Sequence, residues 1–406
     1  MAGAVATAFL FVACTSGIVL GEFPQKEEEE VIGRFDRYRR QAQVRWPGDV
    51  PSKQIDYFFK DGISQAAKDL FMKATKAWEK YTCVKFKEKT PSDERMLVTD
   101  EGTQCYFKRN RTGQGLKVMY IGCGYFGGAA HELGHSLYLD HTHNRHDRDQ
   151  YLDVSLKNVV GQYFRYAHKL PGISLEQYLD QYNKLTKTEN VNYDIPYDYG
   201  SIMHYGSSGP HPAMTPKDRR YHKTMGSPLI SFTDLAMVNK HHNCEDSCRG
   251  KPTKCANRGF PNPNNCGTCV CPSGYGGPLC KDKPDKCGKV LNATRTWKTV
   301  SREILNKKNH GDYFKCTNWI TSPKGKKIEV QILEMSRAFS WNPQGCLVAG
   351  IEIKTNADQR LTGYRFCSED DVNTELKSVS NLVPIITYSM HTQNWLKVKL
   401  QYRYVD

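Results

Sequence analysis

Long apolar runs are almost absent from this sequence. Residues 1–21 carry no charged side chain and include an apolar stretch from Ala8 to Cys14, and no later run is long or apolar enough to span a bilayer. Because the first stretch is short and interrupted by Thr, Ser and Gly, it favours a cleaved secretory signal over a membrane anchor. We therefore expect a signal peptide at 1–21 and a secreted, extracellular protein with no membrane span.

The sequence has no dominant cluster of basic residues, although 57 Lys and Arg outnumber 43 Asp and Glu and give a net charge of +14. Nucleic-acid-binding chains concentrate such residues in a patch or stripe, so we expect no nucleic-acid partner. In an exported chain the excess is typical of contacts with matrix or anionic glycans, or of acidic protein substrates. A merely soluble basic surface explains it equally well.

Cysteine, by contrast, is plentiful. Of 15 cysteines, Cys14 lies in the expected signal, which leaves an even number for the mature chain. In an exported protein that parity predicts disulfides throughout and argues against a cytosolic redox or thiolate-metal role. Sequons at Asn110 and Asn292 are candidate glycosylation sites in the same compartment.

A short charged segment follows the expected signal. Residues 22–40 contain consecutive Glu residues at 27–30 and end in Arg37-Tyr-Arg-Arg. Such an end is typical of an exposed processing site, so we expect a propeptide at 22–40 and a mature chain that begins at Gln41. A solvated turn is the alternative interpretation of these Arg residues.

Three further segments differ in composition. Residues 41–244 combine helical and strand periodicities, which predicts an α+β domain. Six cysteines lie from Cys248 to Cys280 among Asn, Pro and Gly, and a segment this short needs disulfides in place of a core. From Cys287 to Asp406 apolar residues alternate in short runs, which predicts an all-β sandwich.

Four elements are predicted within the α+β domain. Ile63 to Glu79 has apolar residues on one helical face, and Leu116 to Gly122 alternates as a strand. Leu175 to Leu185 and Ser231 to Lys240 also have helical patterns, and the second of these opens on capping residues.

Residues 131–141 carry three histidines at metal-ligand spacing. On a helix, His131 and His135 project from the same face one turn apart, and Glu132 lies beside the first of them. The helix must then end for His141 to return as a third ligand. Three neutral imidazoles leave a fourth Zn²⁺ position for water, which is the arrangement of a catalytic site. A polar surface helix that happens to carry histidines is the alternative interpretation.

These residues resemble the active-site motif of the astacin family, a metzincin family of zinc metalloendopeptidases. The resemblance continues through His143, Arg145 and Asp147-Arg-Asp, and further on through Ser201-Ile-Met-His-Tyr. It covers 41–244 and implies a metzincin-type protease domain that hydrolyses internal peptide bonds of extracellular proteins after propeptide removal.

The C-terminal segments carry two further resemblances. Residues 245–281 are similar to an EGF-like module, and residues 287–406 look like a CUB domain. Together with the protease region, these resemblances imply the disulfides Cys83–Cys244, Cys105–Cys123, Cys248–Cys266, Cys255–Cys269, Cys271–Cys280, Cys287–Cys316 and Cys346–Cys367.

The astacin resemblance also implies a cofactor and a catalytic base. One Zn²⁺ per chain would be held by His131, His135 and His141. Glu132 would take a proton from the attacking water and later deliver it to the leaving amine.

Three further roles follow from the same resemblance. Tyr205 would bind the metal at rest and swing away with substrate, so that its hydroxyl binds the oxyanion. Met203 would form an apolar floor beneath the histidines. The strand at Leu116 to Gly122 would be the sheet edge along which an extended substrate lies.

The chain departs from the family pattern at several positions. Tyr138 replaces a glycine at the bend before the third histidine, where positive φ would cost a bulky residue about 1 to 3 kcal/mol. Thr142 replaces a Glu that anchors the mature N-terminus, so docking of Gln41 in the family manner is not expected. Asp36 is a candidate for the carboxylate that blocks the zinc in the zymogen.

Other departures concern the tail and specificity. The segment around Ile351-Glu352 lacks an aspartate found in calcium-binding CUB domains, so no calcium is expected there. Lys217, Arg219 and Arg220 either line the substrate pocket, which would favour acidic residues, or belong to a solvated loop. The alternative function is a catalytically weakened protein that binds partners through its EGF-CUB tail, and Tyr138 alone favours it.

Overall fold

The computed structural model describes residues 51–108, 116–166, 173–251, 253–284, 286–304, 313–337, 344–390 and 396–406. The expected signal peptide at 1–21, the propeptide at 22–40 with Asp36, the new terminus at Gln41 and the sequon at Asn110 lie outside these described residues. Within the described ranges, no helix combines the length and the hydropathy that crossing a bilayer requires.

The described helices are α1 (Gln65–Glu79), α2 (Phe126–Ser136), α3 (Leu156–Arg165), α4 (Leu175–Asp180) and α5 (Phe232–His241). The described strands are β1 (Gln54–Phe59), β2 (Lys85–Glu88), β3 (Met96–Thr99), β4 (Cys105–Lys108), β5 (Lys117–Ile121), β6 (Leu152–Val154), β7 (Met214–Pro216), β8 (Phe260–Asn262), β9 (Asn265–Val270), β10 (Val290–Asn292), β11 (Lys298–Ile304), β12 (Phe314–Thr321), β13 (Lys327–Arg337), β14 (Ala349–Ile353), β15 (Tyr364–Phe366), β16 (Glu375–Lys377), β17 (Leu382–Ser389) and β18 (Leu396–Val405).

A five-stranded sheet in the order β2-β1-β3-β5-β4 forms the first half of the protease region. Strands β1, β2, β3 and β5 are parallel, and β4 pairs with β5 in the antiparallel direction. The prediction that the strand at 116–122 is the sheet edge is therefore wrong, because β5 lies inside the sheet and β4 is its edge. The disulfide Cys105–Cys123 ties the start of β4 to the chain just after β5.

Helix α1 packs against both this sheet and α2, the helix that carries the first two histidines. Its N-terminus is capped by Ser64, whose hydroxyl accepts the Ala67 N–H at 3.3 Å. Phe71 and Trp78 on its apolar face are buried, and the Trp78 indole donates to the Ala130 carbonyl oxygen in α2 at 3.0 Å. This hydrogen bond ties α2 to α1.

The remaining helix predictions have mixed outcomes. The predicted Ser231 cap is confirmed, because Ser231 and Asp234 form a capping box at the start of α5. The helix predicted at 175–185 is too long: α4 ends at Asp180, and the Leu185 N–H donates to the Asn144 carbonyl oxygen at 2.7 Å. Leu185 therefore bonds to a distant segment and not within a helix.

Every cysteine after Cys14 forms a disulfide. The pairs are Cys83–Cys244, Cys105–Cys123, Cys248–Cys266, Cys255–Cys269, Cys271–Cys280, Cys287–Cys316 and Cys346–Cys367, as the resemblance implied. The cysteine-rich segment contains the hairpin β8–β9, and its Phe260 ring lies 5.3 Å from the Phe232 ring of α5. The cysteine-rich segment therefore packs an aromatic side chain against the protease region.

The C-terminal strands form two sheets, in the orders β10-β12-β17-β14-β15 and β11-β18-β13-β16. Ile320 and Ile351 of the first sheet share one core with Ile332 and Leu400 of the second, which confirms the predicted all-β sandwich. That core continues into the protease region through residues such as Tyr221, so the sandwich packs directly on the protease region.

Candidate active site

Helix α2 places the first two histidines on one face. Nδ1 of His131 lies 2.7 Å from the Ile202 carbonyl oxygen, and Nδ1 of His135 lies 2.9 Å from the Leu139 carbonyl oxygen. A carbonyl oxygen only accepts, so each Nδ1 carries the proton and donates it. Each Nε2 therefore has a lone pair available for a metal.

The third histidine brings its own Nε2 to the same point. Nε2 of His141 lies 3.3 Å from that of His131 and 3.1 Å from that of His135. Ligands of a tetrahedral Zn²⁺ at 2.0–2.1 Å are about 3.3 Å apart. One proton on His141 could satisfy only one of the two facing lone pairs, whereas a cation accepts all three. Among the described residues this cluster can hold a metal ion, and its donors fit zinc.

Burial keeps the imidazoles of His131 and His141 in the form that binds metal. It lowers the pKa of His131, and it lowers the pKa of His141 further with the help of neighbouring His135. Neutral imidazoles therefore persist below the usual His pKa, which favours metal binding in mildly acidic solution.

The chain reverses at Tyr138 to return the third histidine. Tyr138 has φ of 66°, the left-handed conformation expected where the family has glycine. Its ring lies 5.8 Å from the His241 ring and 6.2 Å from the His242 ring. These contacts hold the strained turn, and His141 still reaches the other two histidines.

We expect Tyr138→Gly to be more stable than Tyr138→Ala by about 1 kcal/mol. Both variants lose the ring contacts, but only alanine keeps a Cβ that clashes at positive φ. At ordinary positions the order is the opposite, because glycine loses more backbone entropy on folding. Urea unfolding of the two variants measures the difference, and a more stable alanine variant would contradict the positive φ.

Glu132 lies next to the edge strand β4. It is 8% exposed, and its carboxylate accepts the backbone N–H of Phe107 in β4. Burial raises the pKa of Glu132 to about 8, and the Phe107 hydrogen bond opposes this shift. The charge of a bound dication would lower this pKa again. A buried carboxyl group next to the metal site suits a general base.

Tyr205 packs against the histidines. Its ring centre lies 4.3 Å from that of His141 and 6.0 Å from that of His131. Its hydroxyl donates to Oε1 of Gln181 at 3.3 Å. Burial and the nearby Glu132 carboxylate raise the pKa of Tyr205, so the hydroxyl keeps its proton and can donate a hydrogen bond. Its roles as metal ligand and oxyanion donor remain predictions.

His143 connects Tyr205 to Gln181. Its Nε2 donates to the Gln181 carbonyl oxygen at 2.9 Å, and its Nδ1 accepts the Tyr205 N–H at 3.3 Å. Only the neutral ring makes both bonds, and burial lowers the pKa of His143. The sequence offers no signal for Gln181, which lies 24 residues before Tyr205.

Met203 packs against α2, the helix that carries His131 and His135. It is 1% exposed, and it packs against α2 at Gly134, where an added Cβ would lie 2.5 Å from the Met203 sulfur. Thr142 supports the same turn, because its N–H donates to the Met203 carbonyl oxygen at 3.0 Å. The Thr142 hydroxyl also donates to the Ser201 hydroxyl at 2.8 Å.

Asp234 holds the carbonyl group that orients His131. One carboxylate oxygen accepts the N–H groups of Ile202 and Ser231, each at 2.8 Å, and the other accepts the Ser201 hydroxyl. The sequence identifies Asp234 only as a capping residue of α5. Its second role depends on a loop that is more than thirty residues away in the chain.

Other predicted residues lie away from the histidines' contacts. Asn292 is exposed in β10. Lys217 donates to the Asp149 carbonyl oxygen, and Arg220 pairs with Asp218, which favours the solvated-loop interpretation for both. Glu352, where calcium is not expected, pairs with Arg365 at 3.2 Å.

Three converging imidazoles, a buried glutamate on the helix that carries two of them and a methionine packed against that helix are the features of a metzincin-type zinc centre. Residues 39–243 match the sequence model of the peptidase family described as Astacin. The chain therefore belongs to the astacin family of zinc metallopeptidases, and zinc is the cofactor of this site.

The chain is 35% identical over 395 residues to zinc metalloproteinase nas-31 of Caenorhabditis elegans. The aligned region covers 94% of this chain and 61% of nas-31. It is 34% identical over 384 residues to zinc metalloproteinase nas-32 of the same organism, and this aligned region covers 89% of this chain and 53% of nas-32. This chain thus spans less than two thirds of the length of either relative. Among solved structures it is similar to High choriolytic enzyme 1, a hatching enzyme zinc-protease from Oryzias latipes, at 25% identity and a TM-score of 0.41 over 50% of this chain and 99% of that chain.

Proposed function

We propose that this chain is a secreted zinc endopeptidase that hydrolyses internal peptide bonds of extracellular proteins once residues 22–40 are removed. The observation that carries the proposal is the buried Glu132 carboxyl group on the same helix as two of three converging imidazoles. Disulfides at every cysteine after Cys14 support an oxidising, extracellular compartment.

Each residue of the centre has its own task in this proposal. Zinc, when held by His131, His135 and His141, supplies Lewis-acid polarisation and acidifies water. Glu132 accepts the proton of the water that attacks the scissile carbonyl carbon. It delivers that proton to the amine nitrogen as the C–N bond breaks. Tyr205 donates a hydrogen bond to the oxyanion, which is typically worth about 3 kcal/mol.

The edge strand β4 is the proposed substrate platform. Its outer side is free of a neighbouring strand within the described sheet, and its Phe107 N–H reaches Glu132. An extended peptide can add to such an edge through main-chain hydrogen bonds, whatever its side chains are. The scissile bond of a peptide bound there would lie next to the Glu132 carboxyl group.

The C-terminal segments are assigned as an EGF-like module at 245–281 and a CUB-like domain at 287–406. The disulfide pattern and the two-sheet sandwich support this division. The surplus of basic residues supports contacts of the secreted protein with matrix or anionic glycans. Extracellular proteins are the proposed substrates.

Zinc removal tests the proposed chemistry. The full chain is expressed in a secretory host, the mass of the product is checked for a start at Gln41, and cleavage of a peptide library is measured. A chelator should lower cleavage by roughly 100-fold or more, and stoichiometric Zn²⁺ should restore it. Mg²⁺ and Ca²⁺ serve as controls and should restore nothing, because hard cations prefer oxygen ligands.

Two outcomes would contradict the proposal. Cleavage that survives complete zinc removal would show that the histidine cluster is not the catalytic centre. A processed protein that binds zinc but cleaves no peptide would favour the alternative of a binding protein that acts through its EGF-CUB tail.

A further inference from the structure

The C-terminal sandwich contacts the protease region just before the segment that carries Tyr205. The buried carboxylate of Asp198 accepts the N–H of Thr362 at 3.2 Å and its hydroxyl at 3.1 Å. It also accepts the Gly200 N–H at 3.0 Å and the Thr233 hydroxyl at 2.7 Å. Asp198 is 2% exposed, so these donors take the place of water around the charge.

Asp198 begins the turns that lead to Tyr205. Its carbonyl oxygen accepts the Ser201 N–H at 3.2 Å, and the Ser201 carbonyl oxygen accepts the His204 N–H at 3.1 Å. The backbone from Asp198 to His204 therefore forms two consecutive hydrogen-bonded turns, directly before Tyr205. Thr362, which lies in the sandwich just before β15, holds the start of these turns through its hydrogen bonds to Asp198.

The sandwich also contacts the chain that supports this segment from the other side. The His204 carbonyl oxygen accepts the Gly226 N–H at 3.2 Å. Gly345 of the sandwich packs so closely there that a Cβ on it would lie 1.9 Å from the Gly226 carbonyl oxygen. The segment before Tyr205 is therefore supported by the sandwich at two places.

Buried polar contacts fix the orientation of this interface. Lys223 pairs with Asp371 at 2.6 Å, with side chains 15% and 10% exposed. The Arg365 N–H donates to the Thr224 hydroxyl at 3.0 Å. Such contacts are directional, so they orient the sandwich on the protease region.

We propose that Thr362 is a positioning residue for Tyr205, so that the sandwich contributes to catalysis without touching substrate. The inference rests on the proposed function, because it takes the Tyr205 hydroxyl as the oxyanion donor. Thr362 donates two hydrogen bonds to the Asp198 carboxylate, and the Asp198 carbonyl oxygen begins the turns that lead to Tyr205. The position of these turns sets the position of the Tyr205 hydroxyl. A misplacement of about 1 Å can cost 10²-fold in rate.

Thr362→Val in the full chain tests this inference, since it removes the hydroxyl and keeps the N–H and the side-chain size. We expect kcat to fall roughly tenfold and KM to stay within about twofold, because the oxyanion donor acts in the transition state. Backbone amides of residues 199–206 should exchange hydrogen faster. Thr362→Ser, which keeps the hydroxyl, should retain wild-type kcat and exchange.

A second background separates positioning from general stability. In a Tyr205→Phe chain, Thr362→Val should change kcat by less than about twofold, because no hydroxyl remains to be misplaced. Thr387→Val is the matched control: Thr387 is buried in β17, and its hydroxyl donates to the Cys316 carbonyl oxygen at 3.1 Å, inside the sandwich. It should leave kcat and the exchange of residues 199–206 unchanged.

The outcomes distinguish this inference from the proposed function. An unchanged kcat in Thr362→Val, an equal fall in the Tyr205→Phe background, or the same effect in Thr387→Val would each overturn it. A wild-type chain that cleaves no peptide would refute the proposed function. Hydrogen exchange of residues 199–206 would then still decide whether Thr362 holds the segment.

Discussion

Glu132→Gln should lower kcat by roughly 10³-fold at neutral pH while zinc stays bound. Glutamine has almost the same shape, and its amide oxygen can still accept the Phe107 N–H. It cannot accept a proton from water or deliver one to the leaving amine. KM should change little, because binding of an extended peptide does not require the proton transfer. Peptide hydrolysis rates and metal analysis of the same preparations measure both expectations.

Glu245→Gln provides the control for loss of one negative charge. Glu245 is an exposed residue that pairs with Lys240 at 2.7 Å, and its substitution should leave kcat unchanged. If Glu132→Gln retained more than about a tenth of wild-type kcat, the general-base role would be wrong. If it lost zinc, the carboxyl group would have a metal-binding role that the resemblance does not assign.

Asp234→Ala should destabilise the protein by about 3 kcal/mol or more at neutral pH. It leaves the buried donors Ile202 N–H, Ser231 N–H and the Ser201 hydroxyl without their acceptor. The Ile202 carbonyl oxygen, which accepts from His131, is then free to move. Zinc affinity should fall together with the free energy of unfolding. Denaturant unfolding and zinc competition titrations measure the two effects.

The same variant makes the pH dependence of Asp234 measurable. Burial raises the pKa of Asp234 to about 6, and the bonds from Ser201 and Ile202 oppose the shift. The folded state therefore keeps a proton that the unfolded state loses, so this group's contribution to stability falls as pH rises from about 4 to about 6. The stability difference between wild type and Asp234→Ala should be larger at pH 4.5 than at pH 7.

That comparison is made with a chelator present, so that zinc release adds no pH dependence of its own. Ser231→Ala, which removes the α5 cap but keeps Asp234, is the control and should show no such pH-dependent difference. A stability gap that widened from pH 4.5 to pH 7 would contradict the raised pKa and assign Asp234 an ordinary ionised role.

Local patterns explain most of what the sequence predicted correctly. His131 and His135 are one helical turn apart, so their common face follows from helix geometry alone. The alternation in the tail predicts strands because side chains alternate faces in any strand. The turn at Tyr138 was expected to have positive φ by resemblance, and the structure has it.

Contacts between distant segments explain what the sequence could not predict. The edge strand is β4 and not β5, because β5 pairs with β3 on one side and with β4 on the other. Beyond the end of α4, the Leu185 N–H donates to the carbonyl oxygen of Asn144, which is distant in the chain. No periodicity in either strand or helix contains that information.

By itself, the sequence determined the three histidines that can hold a metal ion, the neighbouring Glu132 and the order of the segments, because these depend on spacing along the chain. Only the tertiary structure decided what holds them in place: Asp234 behind His131, Gln181 at Tyr205, and Thr362 at Asp198. Each of these contacts joins residues far apart in the chain. Their partners are chosen by packing in three dimensions, and buried polar groups require those partners wherever the fold places them.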